Sequence, residues 1–222
     1  MPESGLSRDD CGMDIPLTTP VPPVQPATDP RLDAQFAFLN EADRLKSVLR
    51  ATTLCDGSRR ENSGEHSWHL ALYAMVLADQ APEGVEIDRV IRMLLLHDLV
   101  EIDTGDVPIH SANGAAHAST DTVLAEQRAA DRIFGLLPPD QALAFRALWD
   151  EFEAAETPDA VFAKSLDRVQ PVLANLQSGG GTWTTYNVTW DQLVARVGQK
   201  IARGAPAIWA WVSQRAKAWF TP

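Results

Sequence analysis

The chain has 222 residues, 45% of them hydrophobic, and a formal net charge of −11. Length and apolar content suit one globular domain with a sizeable core. The acidic balance, without any cluster of Lys and Arg, argues against stable binding to a nucleic-acid duplex, and no apolar run reaches the roughly 18 residues of a membrane span.

An acidic chain can still bind a small phosphate if a metal and a few cations line the pocket. The N-terminal MPESGLSRDD has neither a basic n-region nor an apolar h-region, so a secretory leader is not expected. Cys11 and Cys55 form no metal-ligand spacing, and the expected location is the cytoplasm. Residues 1–30 are Pro-rich and poor in large apolar side chains, as in PLTTPVPPVQPATDP, which predicts a flexible tail ahead of a single domain over 31–222.

Helical patterns follow. DAQFAFLNEADRLKSVLR carries Phe36, Leu39, Leu45, Val48 and Leu49 at helix-like spacing, and ATTLCDGSRRENSG reads as a loop. Asn62 with Glu65 three positions later resembles a capping box that opens a helix over roughly 63–80. Asp88 caps RVIRMLLLHDLVEID, apolar on nearly every side and therefore expected to be central, and TGDVP stops it. SANGAAHAS is a loop. Further helices are expected in TDTVLAEQRAADRIFGLL, in PPDQALAFRALWDEFEAAE, and from Thr157 with Pro158 at the first helical position, with a kink at Pro171. The glycines of GGGTW allow a tight return, Thr189 opens another helix, and APAIWAWVSQRAKAWF is the last. Without a convincing strand or repeat, the expected class is all-α, with about seven or eight helices.

Within this pattern His97 and Asp98 interrupt an apolar helix, where an imidazole and a carboxylate need partners. On a regular helix their side chains diverge by about 100° and can still clasp one ion. His66 upstream and Asp167 downstream complete a set of two imidazoles and two carboxylates. Such a set suits one divalent ion, Mn²⁺, Fe²⁺, Co²⁺ or Zn²⁺, and hydrolytic chemistry. A core histidine bonded to a carboxylate is the alternative. Against it stand the neighbouring acids Glu101, Asp103 and Asp106, because so many carboxylates cannot share one region uncompensated.

ENSGEHSWHLAL, LLLHDLVEIDTGDVP and AKSLDRVQPVLANL, in that order, resemble the HD-domain metal-dependent phosphohydrolases, in the branch similar to bacterial 5′-deoxynucleotidases. The resemblance covers roughly residues 33–215. It implies an HD-type helical bundle with His66, His97, Asp98 and Asp167 as metal ligands. It also implies that Glu101 and Asp106, from the pattern H-D-x-x-E-x-x-x-G-D, act as further active-site acids. An arginine ahead of the first histidine is expected to hold the substrate phosphate; Arg50 is the candidate, with Arg59 and Arg60 left open.

The reaction implied is attack of a metal-bound water on a phosphomonoester, a (deoxy)nucleoside 5′-monophosphate, with Glu101 moving the proton. Asp106 could set the environment of Glu101 or contact a sugar hydroxyl. Trp68 is a candidate for the substrate pocket, with core packing as its plainer role, and His69 is expected to pack or to support His66. Trp190, Trp209, Trp211 and Trp219 are expected to pack, and a homodimer is expected. Two other functions compete. A di-iron oxygenase would recruit His110 or His117 as extra ligands, and a silent binding module would leave the site idle.

Overall fold

The computed structural model describes residues 29–116 and 119–221. The tail expected over 1–30, apart from its last two residues, lies outside the described residues, as do Cys11 and His117. Asp29 caps the first helix, α1 (Pro30–Ala42), by accepting from the backbone N–H groups of Arg31 and Leu32. The chain then passes through a 3₁₀ turn (Asp43–Ser47) into a hairpin of β1 (Leu49–Thr53) and β2 (Arg60–Asn62).

The helix expected over 33–50 therefore stops early, and the expected loop after it holds most of a hairpin. Phe36 and Leu39 face outward, at 59% and 57% exposure, while Phe38 and Leu45 are buried. The alternation along β1 is inverted relative to an ordinary strand: Leu49 points to solvent and Arg50 and Thr52 point in.

Asn62 ends the hairpin and starts α2 (Ser63–Val76) with the capping box expected of it: its side chain accepts from Glu65 N–H, and the Glu65 carboxylate accepts from Asn62 N–H. α3 (Ile87–Leu96) buries Val90, Met93, Leu94 and Leu96 and leaves Leu95 exposed, so its apolar surface is not uniformly covered. The chain continues as a 3₁₀ turn (His97–Val100), then α4 (Glu101–Thr104), which Gly105 closes at φ +71°. α5 (Thr120–Phe134), α6 (Pro139–Ala154) and α7 (Pro158–Gln177) follow, the last capped by Thr157 and running on through Pro171.

Gly179, Gly180 and Gly181 all take positive φ and return the chain tightly into α8 (Gly181–Thr185). A Cβ on Gly181 would meet the Asn175 side chain at 2.3 Å, so a larger residue cannot make that turn. α9 (Trp190–Leu193), a π turn (Val194–Gly198), α10 (Gln199–Gly204) and α11 (Pro206–Phe220) complete an all-α fold with one small hairpin. Among the described residues no helix is long and apolar enough to cross a membrane.

Two apolar clusters hold the bundle. One gathers Leu70, Leu94, Phe162, Leu166, Val169, Trp183 and Ile201 from α2, α3, α7, α8 and α10. The other gathers Phe38, Leu96, Leu99, Ile133, Phe134 and Trp149 from α1, α3, the His97–Val100 turn, α5 and α6. Removing one such side chain, as in Leu94→Ala, costs about 2–5 kcal/mol. The turn carrying His97 and Asp98 lies where the clusters meet, with Leu94 in one and Leu96 in the other. Of the tryptophans expected to pack, Trp190 stacks on Trp209 and Trp219 lies against Trp183, whereas Trp211 is 51% exposed under its own Arg215.

Candidate metal centre

His97 and Asp98 sit on the 3₁₀ turn and not on a regular helix, which corrects the 100° expectation: three residues per turn set adjacent side chains about 120° apart. The local cause is competition for backbone carbonyls. His97 Nδ1 lies 2.9 Å from the Leu94 carbonyl and donates to it, and Trp149 Nε1 donates to the His97 carbonyl at 3.1 Å. Side chains thus take acceptors that the helical ladder would otherwise use. They also fix the imidazole: with Nδ1–H committed to that carbonyl, His97 turns Nε2 toward Asp98 and the cleft.

That Nε2 atom is buried and makes no hydrogen bond. It lies 2.9 Å from Asp98 Oδ1 and 3.7 Å from Asp167 Oδ1. His66, from α2, is fully buried; its Nε2 lies 3.0 Å from Asp167 Oδ1 and its Nδ1 3.1 Å from Gln170 Oε1. One ligand atom each from His66, His97 and Asp98 all fall within 4.8 Å of one another. Asp167 is not part of that mutual set, though it touches both imidazoles.

The charge balance supports a cation here. Burial alone would lower the His97 imidazole, yet Asp98 and Asp167 outweigh it and push it up to about 10. Burial would raise Asp98, but His97 and Arg50 hold it well below the carboxylate range. Asp167 is likewise held low against its burial, by Arg168, His66 and His97. A site this anionic pulls positive charge to itself, and its nitrogen and oxygen donors suit a divalent metal ion.

Arg50 is the counter-ion that the sequence expected to bind phosphate. Its guanidinium lies 2.8 Å from Asp98, 3.5 Å from Glu101, 3.6 Å from Asp106 and 3.6 Å from Glu61, while still lining the cleft. Arg59 pairs with Glu65 at the surface, and Arg60 donates to the backbone carbonyls of Leu49 and Arg50, so neither shares that position. Glu101 receives the Ser63 hydroxyl. Burial, then the charges of Asp98 and Asp106, raise its carboxyl to about 8 against the pull of Arg50. Asp106 Oδ2 accepts from Ala51 N–H at 3.1 Å and so ties the end of α4 to the hairpin.

Trp68 is not in the cleft: its side chain is 61% exposed, because the turn that aims His66 inward carries position 68 to the opposite face of α2. His69 packs edge-on against Tyr73 and approaches Gln170 at 3.5 Å. His110 does line the cleft, but it faces Arg196, and burial together with Arg196 and Arg168 lowers its pKa to about 4. Guanidinium groups beside it disfavour a second cation at this histidine.

The cleft also contains residues that pattern reading missed. Lys164, Arg168 and Asn175 join Asp167 along one face of α7, and Glu126 and Glu153 come from α5 and α6. Lys164 donates to Glu153 at 2.9 Å, and Arg168 lies 3.1 Å from Asp167. The spacing of 164, 167, 168, 171 and 175 on a helix already anchored by Asp167 was the available signal. Glu61 and Gln170, both nearly fully buried, had no such signal, because their partners lie on other elements.

A helical bundle that brings His66, His97 and Asp98 within 4.8 Å of one another, beside the cleft that His97 and Asp98 line, defines a helical domain with a candidate metal centre. A model of the HD domain matches residues 42–209, and the chain belongs to the HD domain family. It is similar to a solved structure from Magnetospirillum magnetotacticum MS-1, described as a predicted metal-dependent phosphohydrolase. That match has 48% identity and a TM-score of 0.79, over 86% of this chain and 96% of that one. The 5′-deoxynucleotidase HDDC2 of Homo sapiens is 30% identical over 137 residues, 61% of this chain and 64% of that protein, so the match spans just under two thirds of that relative. A 5′-deoxynucleotidase of Erwinia tasmaniensis is 26% identical over 165 residues, 72% of this chain and 83% of that one.

Proposed function

We propose that this protein is a metal-dependent phosphohydrolase that cleaves a nucleoside 5′-monophosphate, with deoxyribonucleotides as the preferred class. The observation that carries the reading is the clustering of buried donors: one ligand atom each from His66, His97 and Asp98 lies within 4.8 Å of the others, with Asp167 touching both imidazoles. The names of the human and Erwinia relatives support the substrate class.

His66, His97 and Asp98, with Asp167 beside them, would hold one divalent ion. When bound, such an ion polarises a phosphate oxygen and acidifies a water molecule. The chain's own groups do the rest. Glu101, whose carboxyl burial and the charges of Asp98 and Asp106 raise to about 8, stands beside the cluster and is suited to move a proton to the departing 5′-oxygen. Ser63 and Arg50 hold that carboxyl from two sides. Arg50 balances the acids and offers its remaining N–H groups to the phosphate, and Lys164 and Arg168 line the same cleft for the substrate's negative charge.

The test is direct. The protein is stripped of metal, reloaded with Mn²⁺ or Co²⁺, and assayed for phosphate release from a panel of deoxyribonucleoside and ribonucleoside 5′-monophosphates. Release from deoxyribonucleotides is expected to exceed release from the ribose forms. A loaded protein that frees phosphate from none of them refutes the function, and equal rates on both sugars refute the sugar preference.

A further inference from the structure

For both imidazoles to serve as ligands through Nε2, each must keep its proton on Nδ1. In His97 the backbone carbonyl of Leu94 ensures this. His66 has no such carbonyl; its Nδ1 lies 3.1 Å from the side-chain Oε1 of Gln170 and 3.5 Å from Glu61 Oε1. An amide has two faces. Rotated by 180°, it would present its NH₂ group to Nδ1 and favour the wrong tautomer.

Glu61 removes that freedom. Gln170 Nε2 donates to Glu61 Oε2 at 3.0 Å, and a carboxylate only accepts, so the amide nitrogen must face β2 and the amide oxygen must face His66. Glu61 and Gln170 are each 3% exposed, so water cannot substitute for either partner. Glu61 is placed in turn by Arg50, whose Nε lies 3.6 Å away and whose other end holds Asp98. His66, Gln170, Glu61, Arg50 and Asp98 thus form one continuous chain of contacts between two of the clustered donors.

We propose that Glu61 and Gln170 are positioning residues of the metal centre: Glu61 orients the Gln170 amide, and Gln170 Oε1 holds the Nδ1–H of His66 so that Nε2 faces the ion. This rests on reading His66 as a ligand. Such supporting hydrogen bonds govern affinity by holding the ring and raising its basicity.

The test measures Zn²⁺ and Mn²⁺ affinity of the full-length, metal-stripped protein by competition with a chromophoric chelator. Glu61→Gln and Gln170→Leu are each expected to weaken binding by about 10–100-fold. The exchanged pair, Glu61→Gln together with Gln170→Glu, keeps one carboxylate and one amide at the same two positions and nearly the same volumes. It again offers His66 an acceptor and is expected to return affinity to within about threefold of the original, a non-additive recovery that mere packing would not give. Wild-type protein that binds the ions, with single variants unchanged or an exchanged pair as weak as the two losses combined, overturns the positioning role alone. Wild-type protein that binds neither ion overturns the ligand reading and this inference with it.

Discussion

Arg50→Met removes the one guanidinium that faces Asp98, Glu101, Asp106 and Glu61 together, at 2.8, 3.5, 3.6 and 3.6 Å. Arg50 is only 8% exposed, so water cannot replace the lost charge. Breaking a buried ion pair by deleting one partner costs about 3–5 kcal/mol, and the methionine fills most of the volume, so the loss is electrostatic and not a cavity. The expected loss for the metal-free protein is therefore about 3–5 kcal/mol, read by urea denaturation as a lower midpoint at constant m-value. Arg50→Lys keeps the charge but cannot span four carboxylates, and should fall between the two. Adding Zn²⁺ at about 100 times its dissociation constant should return about 2.7 kcal/mol to whichever variants still bind it. A midpoint shift for Arg50→Met worth less than about 1 kcal/mol would refute the view that this guanidinium balances the cluster.

Glu101→Gln should lower kcat by about 10²–10⁴-fold while metal content stays near the wild-type level; unchanged kcat would remove Glu101 from proton transfer. His97→Ala should cut bound metal at least about tenfold, measured by elemental analysis after desalting, and full retention would remove His97 from the ligand set. His110 titrates near 4 in the folded protein and near its ordinary value when unfolded, so the unfolded chain binds more protons between those pH values. Stability is then fully present above about pH 6.5 and declines as the pH falls toward 4; after allowance for partial solvent screening this is about 1–3 kcal/mol. His110→Asn should flatten that part of the stability–pH curve, and an identical slope would show that His110 is not held neutral by its surroundings.

Much of the bundle is legible because capping chemistry is local. Asn62 with Glu65, Thr157 ahead of Pro158, and Thr189 each mark a helix start where the structure has one, whereas α3 starts at Ile87 without a side-chain cap and Asp88 lies inside its first turn. The hairpin was not legible for a physical reason. A strand is recognised by apolar residues on its buried face, and here that face carries Arg50, Thr52 and Glu61. Helical spacing around Leu45, Val48 and Leu49 then carried the helix too far, because a 3₁₀ turn and a strand entry preserve enough of the pattern to imitate it. His66, His97, Asp98 and Asp167, the proposed donors, stand out in the sequence as polar interruptions in apolar helices. Trp68 differs from the expectation because two residues along a helix turn a side chain about 200° from His66, onto the outer face.

A hairpin of two strands has little stability of its own. This one turns charged and hydroxyl groups inward, and its anchors are the acids around the cleft: Asp98, Glu101 and Asp106 through Arg50, and Asp106 again through Ala51 N–H. Its order is therefore borrowed from the acids of the cleft. Amide exchange along Leu49–Thr53 becomes a gauge of how well the neighbouring charges are balanced, and a substitution among those acids also acts on whether one wall of the cleft exists.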